Sequence, residues 1–138
     1  MKAIENFLPQ RAPFLFVDEI LHADNTKIIG QKYYGSDFKF YDILNNKKII
    51  PSTILIESLM QCGGAGCKIL QLTTDKRLAA AAIDAVKIHQ IVSIPNTIKM
   101  TINNLRIRDK TIYQEGYAWL NDELILSAKW HCIAIKNL

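Results

Sequence analysis

Apolar and polar positions change their spacing several times along this chain, and each change marks an element. Phe14 to Leu21 is apolar and rich in strand formers, Asp24-Asn25 marks a turn, and Lys27 to Tyr34 follows as a second strand. The pair predicts a hairpin. Ahead of it, Glu5 to Leu8 runs into Pro9, which predicts a short helical turn that stops there. From Gly35 to Lys48 no period holds, and Phe38, Phe40, Tyr41, Ile43 and Leu44 lie scattered among polar residues. Irregular stretches of that length are uncommon unless they line a site.

Thr53 to Leu72 carries the helical period, with Ser52 after Pro51 as the expected N-cap. Ile54, Leu55, Leu59, Cys62, Gly66 and Ile69 fall near one stripe. Its middle holds Gly63, Gly64 and Gly66, and each glycine costs a helix roughly 1 kcal/mol relative to alanine. Two readings follow. Either a sheet or second helix approaches the backbone closely at this small waist, or the helix breaks in two there. After Asp75-Lys76-Arg77 the pattern is strand-like: Leu78 to Ile83, Val86 to Ile94, a turn at Pro95-Asn96, then Ile98 to Arg108 and Thr111 to Leu120. A hairpin turn at Asn121-Asp122 leads into Leu124 to Ile135. One helix followed by meandering strands is an α+β plan, a helix packed on an antiparallel sheet.

The 138 residues fit one domain, 1–138, with nothing resembling a linker, and suffice to bury a real core. Composition is ordinary for a globular protein, 49% hydrophobic and 22% charged. No apolar run is long enough to span a membrane, and Met1 to Asn6 has no apolar leader segment, so a cytoplasmic location is expected. Cys62, Cys67 and Cys132 are sparse and lack metal spacing. Cys62 and Cys67, five apart on one helix, face different ways, so buried reduced thiols are expected and neither metal nor cofactor is assigned. The net charge of +4 is mild: it suits an acidic partner such as nucleic acid, an anionic membrane or an acyl carrier protein, and equally plain solubility. The basic residues are spread out with no nucleic-acid motif, so neither nucleic acid nor membrane is expected as a partner.

Two segments carry a family resemblance. Leu8-Pro9-Gln10-Arg11-Ala12-Pro13-Phe14-Leu15-Phe16-Val17-Asp18 resembles the N-terminal signature of the FabZ-type (3R)-hydroxyacyl-acyl carrier protein dehydratases, which reads Leu-Pro-His-Arg-x-Pro-Phe-Leu-Leu-Val-Asp. Pro51-Ser52-Thr53-Ile54-Leu55-Ile56-Glu57-Ser58-Leu59-Met60-Gln61 is similar to that family's opening of the central helix. The closing hairpin, Tyr117 to Lys129, fits as well. The resemblance implies a hotdog fold, a long central helix wrapped by an antiparallel sheet. It also implies a dimer, either of this chain or with a histidine-bearing hotdog partner, and an acyl chain held along the dimer seam. The family splits its site between a histidine of one subunit and an acid on the central helix of the other. Elimination of a β-hydroxyl needs such a pair, a base near neutrality and a proton donor facing the oxygen.

By this resemblance Glu57, six residues beyond Pro51, holds the place of the acid. The family's Gly-His-Phe-Pro-Gly stretch is absent: counting back eight from Pro51 lands on Ile43, and a shift of one lands on Asp42. Tyr41, Asp42, Ile43, Pro51, Ser52 and Gln61 are the remaining candidates around the substrate. His22, His89 and His131 read as ordinary sheet or turn residues. Three functions stay open. The chain is a dehydratase subunit that keeps its acid and borrows a base, in fatty-acid or polyketide-type synthesis; a thioesterase or dehydratase that uses Asp42 or Tyr41; or a non-catalytic acyl-binding module.

Overall fold

A computed structural model describes residues 3–72 and 76–136. Asp75, at the break expected before the later strands, lies outside the described residues. A 3-10 turn, Ile4–Asn6, precedes the first strands, β1 (Glu19–Ala23) and β2 (Lys27–Tyr34). A small hairpin follows, β3 (Asp42–Leu44) and β4 (Lys47–Ile49), then helix α1 (Ser52–Ile69). The chain closes with β5 (Lys76–Ile88), β6 (Asn96–Ile107), β7 (Thr111–Leu120) and β8 (Glu123–Lys136). Six strands form one antiparallel sheet in the order β1-β2-β6-β7-β8-β5. The helix packs on one face of it, the α+β plan expected.

The inner face is written in the period-two burial of the central strands. Ile98, Met100 and Ile102 of β6 are buried, as are Ile112, Gln114, Gly116 and Ala118 of β7, each alternating with more exposed neighbours. Against them lie Leu55, Leu59, Cys62 and Gly66 of α1, with Trp130 of β8 among the largest fully buried side chains. Fully burying one such side chain stabilises the fold by roughly 1.5–3 kcal/mol.

The glycine waist is where the sheet comes closest, and α1 runs through it unbroken. A methyl group on Gly66 would overlap the Ile28 side chain of β2, and one on Gly63 would overlap the Gln114 amide of β7. Gln114 lies across the helix: its Nε2 donates to Asn104 Oδ1 at 2.7 Å, and its Oε1 accepts from Trp130 Nε1 at 3.0 Å. The propensity cost of these two glycines is offset by the core contacts they admit.

Several expected boundaries move, each for a local reason. The first strand begins at Glu19, not Phe14, because the Phe16 backbone bonds to helix side chains instead of a neighbouring strand. The stretch from Gly35 to Lys48 contains the β3-β4 hairpin, closed by Asn45 and Asn46 at φ 49° and 61°, the left-handed pair that a two-residue hairpin turn requires. Ser52 is the first helical residue and not the N-cap. Pro51 takes that position, its carbonyl accepting from the Ile54 and Leu55 amides, and no side chain caps the helix. At the other end the helix stops at Ile69, not Leu72. Gln71 adopts φ 59°, and the Gln71 and Leu72 amides donate back to the Lys68 and Cys67 carbonyls. This is a Schellman motif with glutamine where glycine is usual. The two strands expected over 78–94 are a single strand, β5, that continues through register shifts at Ala80/Ala82 and Asp84/Lys87, with Ala85 at φ 53°. All three cysteines are free and buried, as expected.

Candidate functional site

Glu57 stands one and a half turns into α1 and is half-buried. Two side chains near it hold the segment before β1 against the helix. Gln61, 3% exposed, is fully used: its Oε1 accepts the Phe16 amide at 2.8 Å, and its Nε2 donates to the Phe14 carbonyl at 3.0 Å and to Glu57 Oε2 at 2.9 Å. Ser58 donates to the Phe16 carbonyl. The glutamine therefore joins the two sequence motifs physically and fixes one carboxylate oxygen of Glu57. Among the described residues no other hydrogen bond or ion pair reaches that carboxylate.

A groove of about 390 Å³ runs beside it. Helix α1 contributes Glu57, Met60, Gln61, Gly64 and Lys68, one stripe at three- and four-residue spacing. The eleven-residue interval from Glu57 to Lys68 rises roughly 16 Å, enough to run along an extended acyl chain. The opposite wall is Asn6 to Gln10, and the start of β5 (Arg77, Leu78, Ala80) with Cys132 closes the side. Burial pushes the Cys132 thiol up to about 11 and the Cys67 thiol to about 12, so both stay protonated and weakly nucleophilic near neutrality.

Of the candidate residues, the structure brings Glu57 and Gln61 together and leaves the others outside this groove. Tyr41, Asp42 and Ile43 sit on the β3-β4 hairpin, all exposed, Ile43 to 61%, with Lys48 Nζ 4.5 Å from the centre of the Tyr41 ring. The hairpin is tied down at its base: Ile50 N donates to Val92 O at 2.9 Å and Ile94 N to Lys48 O at 3.0 Å. Pro51 and Ser52 are half-buried at the helix start and do not line the groove. No histidine lines it either. His22 bonds Asp24 at 2.7 Å on the β1-β2 turn, His131 stacks on Tyr113 with ring centres 4.0 Å apart, and His89 is exposed beyond β5. Gln10, Met60 and Arg77, which do line it, were not singled out from the sequence. Gln10 lies inside the first motif and Met60 inside the second, whereas Arg77 lies in neither.

A helix held in the curve of a six-stranded antiparallel sheet is the hotdog architecture, and solved structures agree. The dehydratase heterocomplex ApeI:P from Xenorhabdus doucetiae superposes with a TM-score of 0.87 at 14% identity, over 99% of this chain and 93% of that one. No protein-family profile matches the chain. Full-length relatives do: the 3-hydroxyacyl-[acyl-carrier-protein] dehydratase FabZ of Syntrophobacter fumaroxidans is 27% identical over 130 residues, covering 91% of this chain and 87% of the relative. The enzyme of the same name from Xanthomonas oryzae pv. oryzae is 27% identical over 141 residues, covering 97% and 91%. The chain thus has the hotdog fold and is similar along nearly its whole length to FabZ dehydratases. No helix among its described residues is long and apolar enough to cross a membrane.

Proposed function

We propose that this protein is a cytoplasmic dehydratase-type subunit that binds acyl-carrier-protein thioesters, supplies Glu57 as the acid, and relies on a histidine-bearing hotdog partner for the base. The observation that carries this reading is an asymmetry. The acid is positioned by Gln61 in a groove long enough for an acyl chain. The position the family gives to its imidazole falls on Ile43 or Asp42 of an exposed hairpin. Isoleucine holds no proton, so a homomer would present two acids and no imidazole.

In the complete pair, the partner's base removes the α-proton of the 3-hydroxyacyl thioester. The Cβ–O bond breaks, and the Glu57 carboxyl gives its proton to the leaving oxygen, which departs as water. The proton held on the base returns to Glu57 before the next turnover. Assembly is supported by surface that one chain leaves bare. β5 is a thirteen-residue edge strand whose Ile83, Val86 and Ile88 are 47%, 40% and 56% exposed. Long apolar edges of this kind are templates for pairing with another chain. Ile43 and Leu44, also exposed, stand ready to meet a neighbouring subunit.

The test compares the purified chain with the chain mixed with a cognate histidine-bearing hotdog dehydratase, assayed for hydration of an enoyl-carrier thioester. The isolated chain should be inactive, and the complex should turn over and lose most of its added activity with Glu57→Gln. Turnover by the isolated chain that survives Glu57→Gln would overturn the reading.

A further inference from the structure

Gln10 combines three observations that its place in the first motif does not explain. It lines the same groove as Glu57. Its Oε1 is sealed from solvent and has no hydrogen-bond partner. Its backbone is fixed, because Arg11 Nη1 donates to the Leu8 carbonyl at 2.7 Å and to the Gln10 carbonyl at 2.8 Å, with Leu8 buried beneath. A buried acceptor without a donor is costly, and a fold keeps one when something else supplies the donor. The glutamine on the facing helix, Gln61, is fully used inside the protein. The contrast separates a side chain that holds the site together from one that waits.

We infer that Gln10 is a substrate-positioning residue, its amide oxygen accepting a hydrogen bond from a donor group of the bound thioester. This deepens the function proposed above and rests on it. The terminal amide turns broadly about χ3, so the oxygen swings from the wall to an incoming donor without movement of the backbone. A 3-hydroxyacyl pantetheine thioester offers two kinds of donor, the β-hydroxyl and the amide N–H groups of the pantetheine arm. Both satisfy the same acceptor.

Titration calorimetry on the intact chain, with 3-hydroxyoctanoyl-pantetheine and octanoyl-pantetheine as probes, tests this against Gln10→Met, which keeps the length and removes the acceptor. If the hydroxyl is the donor, Gln10→Met weakens the hydroxyacyl probe by about tenfold and leaves the other unchanged; if the arm amide is the donor, both weaken by about tenfold. Thermal unfolding separates positioning from structure. Removing an unpaired acceptor should leave Tm unchanged or raise it by a few degrees, and Gln10→Leu should behave alike. A fall in Tm in both variants, or unchanged affinity for both probes in a protein that binds them, would overturn the inference and leave the proposed function standing. Failure of the unaltered chain to bind either probe would overturn both.

Discussion

The two sides of α1 are built to different rules. On the sheet side, Leu59, Cys62 and Gly66 are fully enclosed, and the polar atoms of Gln114 all find partners. On the groove side, which Glu57, Gly64 and Lys68 of the same helix line, one Glu57 oxygen has no hydrogen-bond partner among the described residues, Gln10 keeps a sealed acceptor, and the wall opens to solvent. One face spends its side chains on closing the fold, and the other leaves bonds unmade. Under the proposed function these unmade bonds are left for the substrate, because a group already satisfied has nothing to offer it.

Substitutions on the two faces should therefore separate activity from stability. The largest effect belongs to the groove. Glu57→Gln in the active complex should cut kcat about 10²- to 10⁴-fold, the usual contribution of a positioned acid, and shift Tm little; steady-state kinetics with calorimetry checks both. On the sheet side, Gly66→Ala drives a methyl group into Ile28 and should destabilise by about 1–3 kcal/mol despite alanine's better helix propensity, read from denaturant midpoints. Gly64, two residues earlier, sharpens the contrast. It faces the groove, where an added Cβ meets only Leu8 at 3.8 Å, so Gly64→Ala should stabilise by about 0.5–1 kcal/mol. Three glycines that look alike in the sequence thus divide by the face they occupy.

A further effect is one of pH. Burial raises the Cys67 and Cys132 thiols from an ordinary value of 9.0 to about 12 and about 11. The unfolded chain loses these protons first, so the stability they contribute is whole below about pH 9 and falls as the pH climbs toward 11. Denaturant midpoints at pH 8 and pH 10.5 should show that fall, and it should shrink in a Cys67→Ala, Cys132→Ala variant.

How far the sequence could be read follows the same division. β2 and β7 stand at the limits their alternation predicts, and the glycine waist does mark close approach of the sheet. Where local signals were replaced by tertiary ones, the reading slipped. No glycine announces the Schellman stop at Gln71. The alanine-rich β5 hides a bulge within one strand, and nothing in Phe14 to Val17 says that its backbone will be held by Gln61 and Ser58 instead of a neighbouring strand. The Asn45-Asn46 turn lies hidden within Gly35 to Lys48, where no period holds. In the site, Glu57 and Gln61 were legible because a motif spaces them. Gln10 was not, since an unpaired oxygen exists only once the walls around it are folded.

The most direct test of the proposed subunit, which holds an acid and lacks a base, is to give it one. Turnover of a 3-hydroxyacyl-carrier thioester should be measured for the purified homomer and for Ile43→His. The unaltered homomer should be inactive and the variant should gain dehydration that Glu57→Gln abolishes. Dehydration by the unaltered homomer at a competent enzyme's rate would contradict the account.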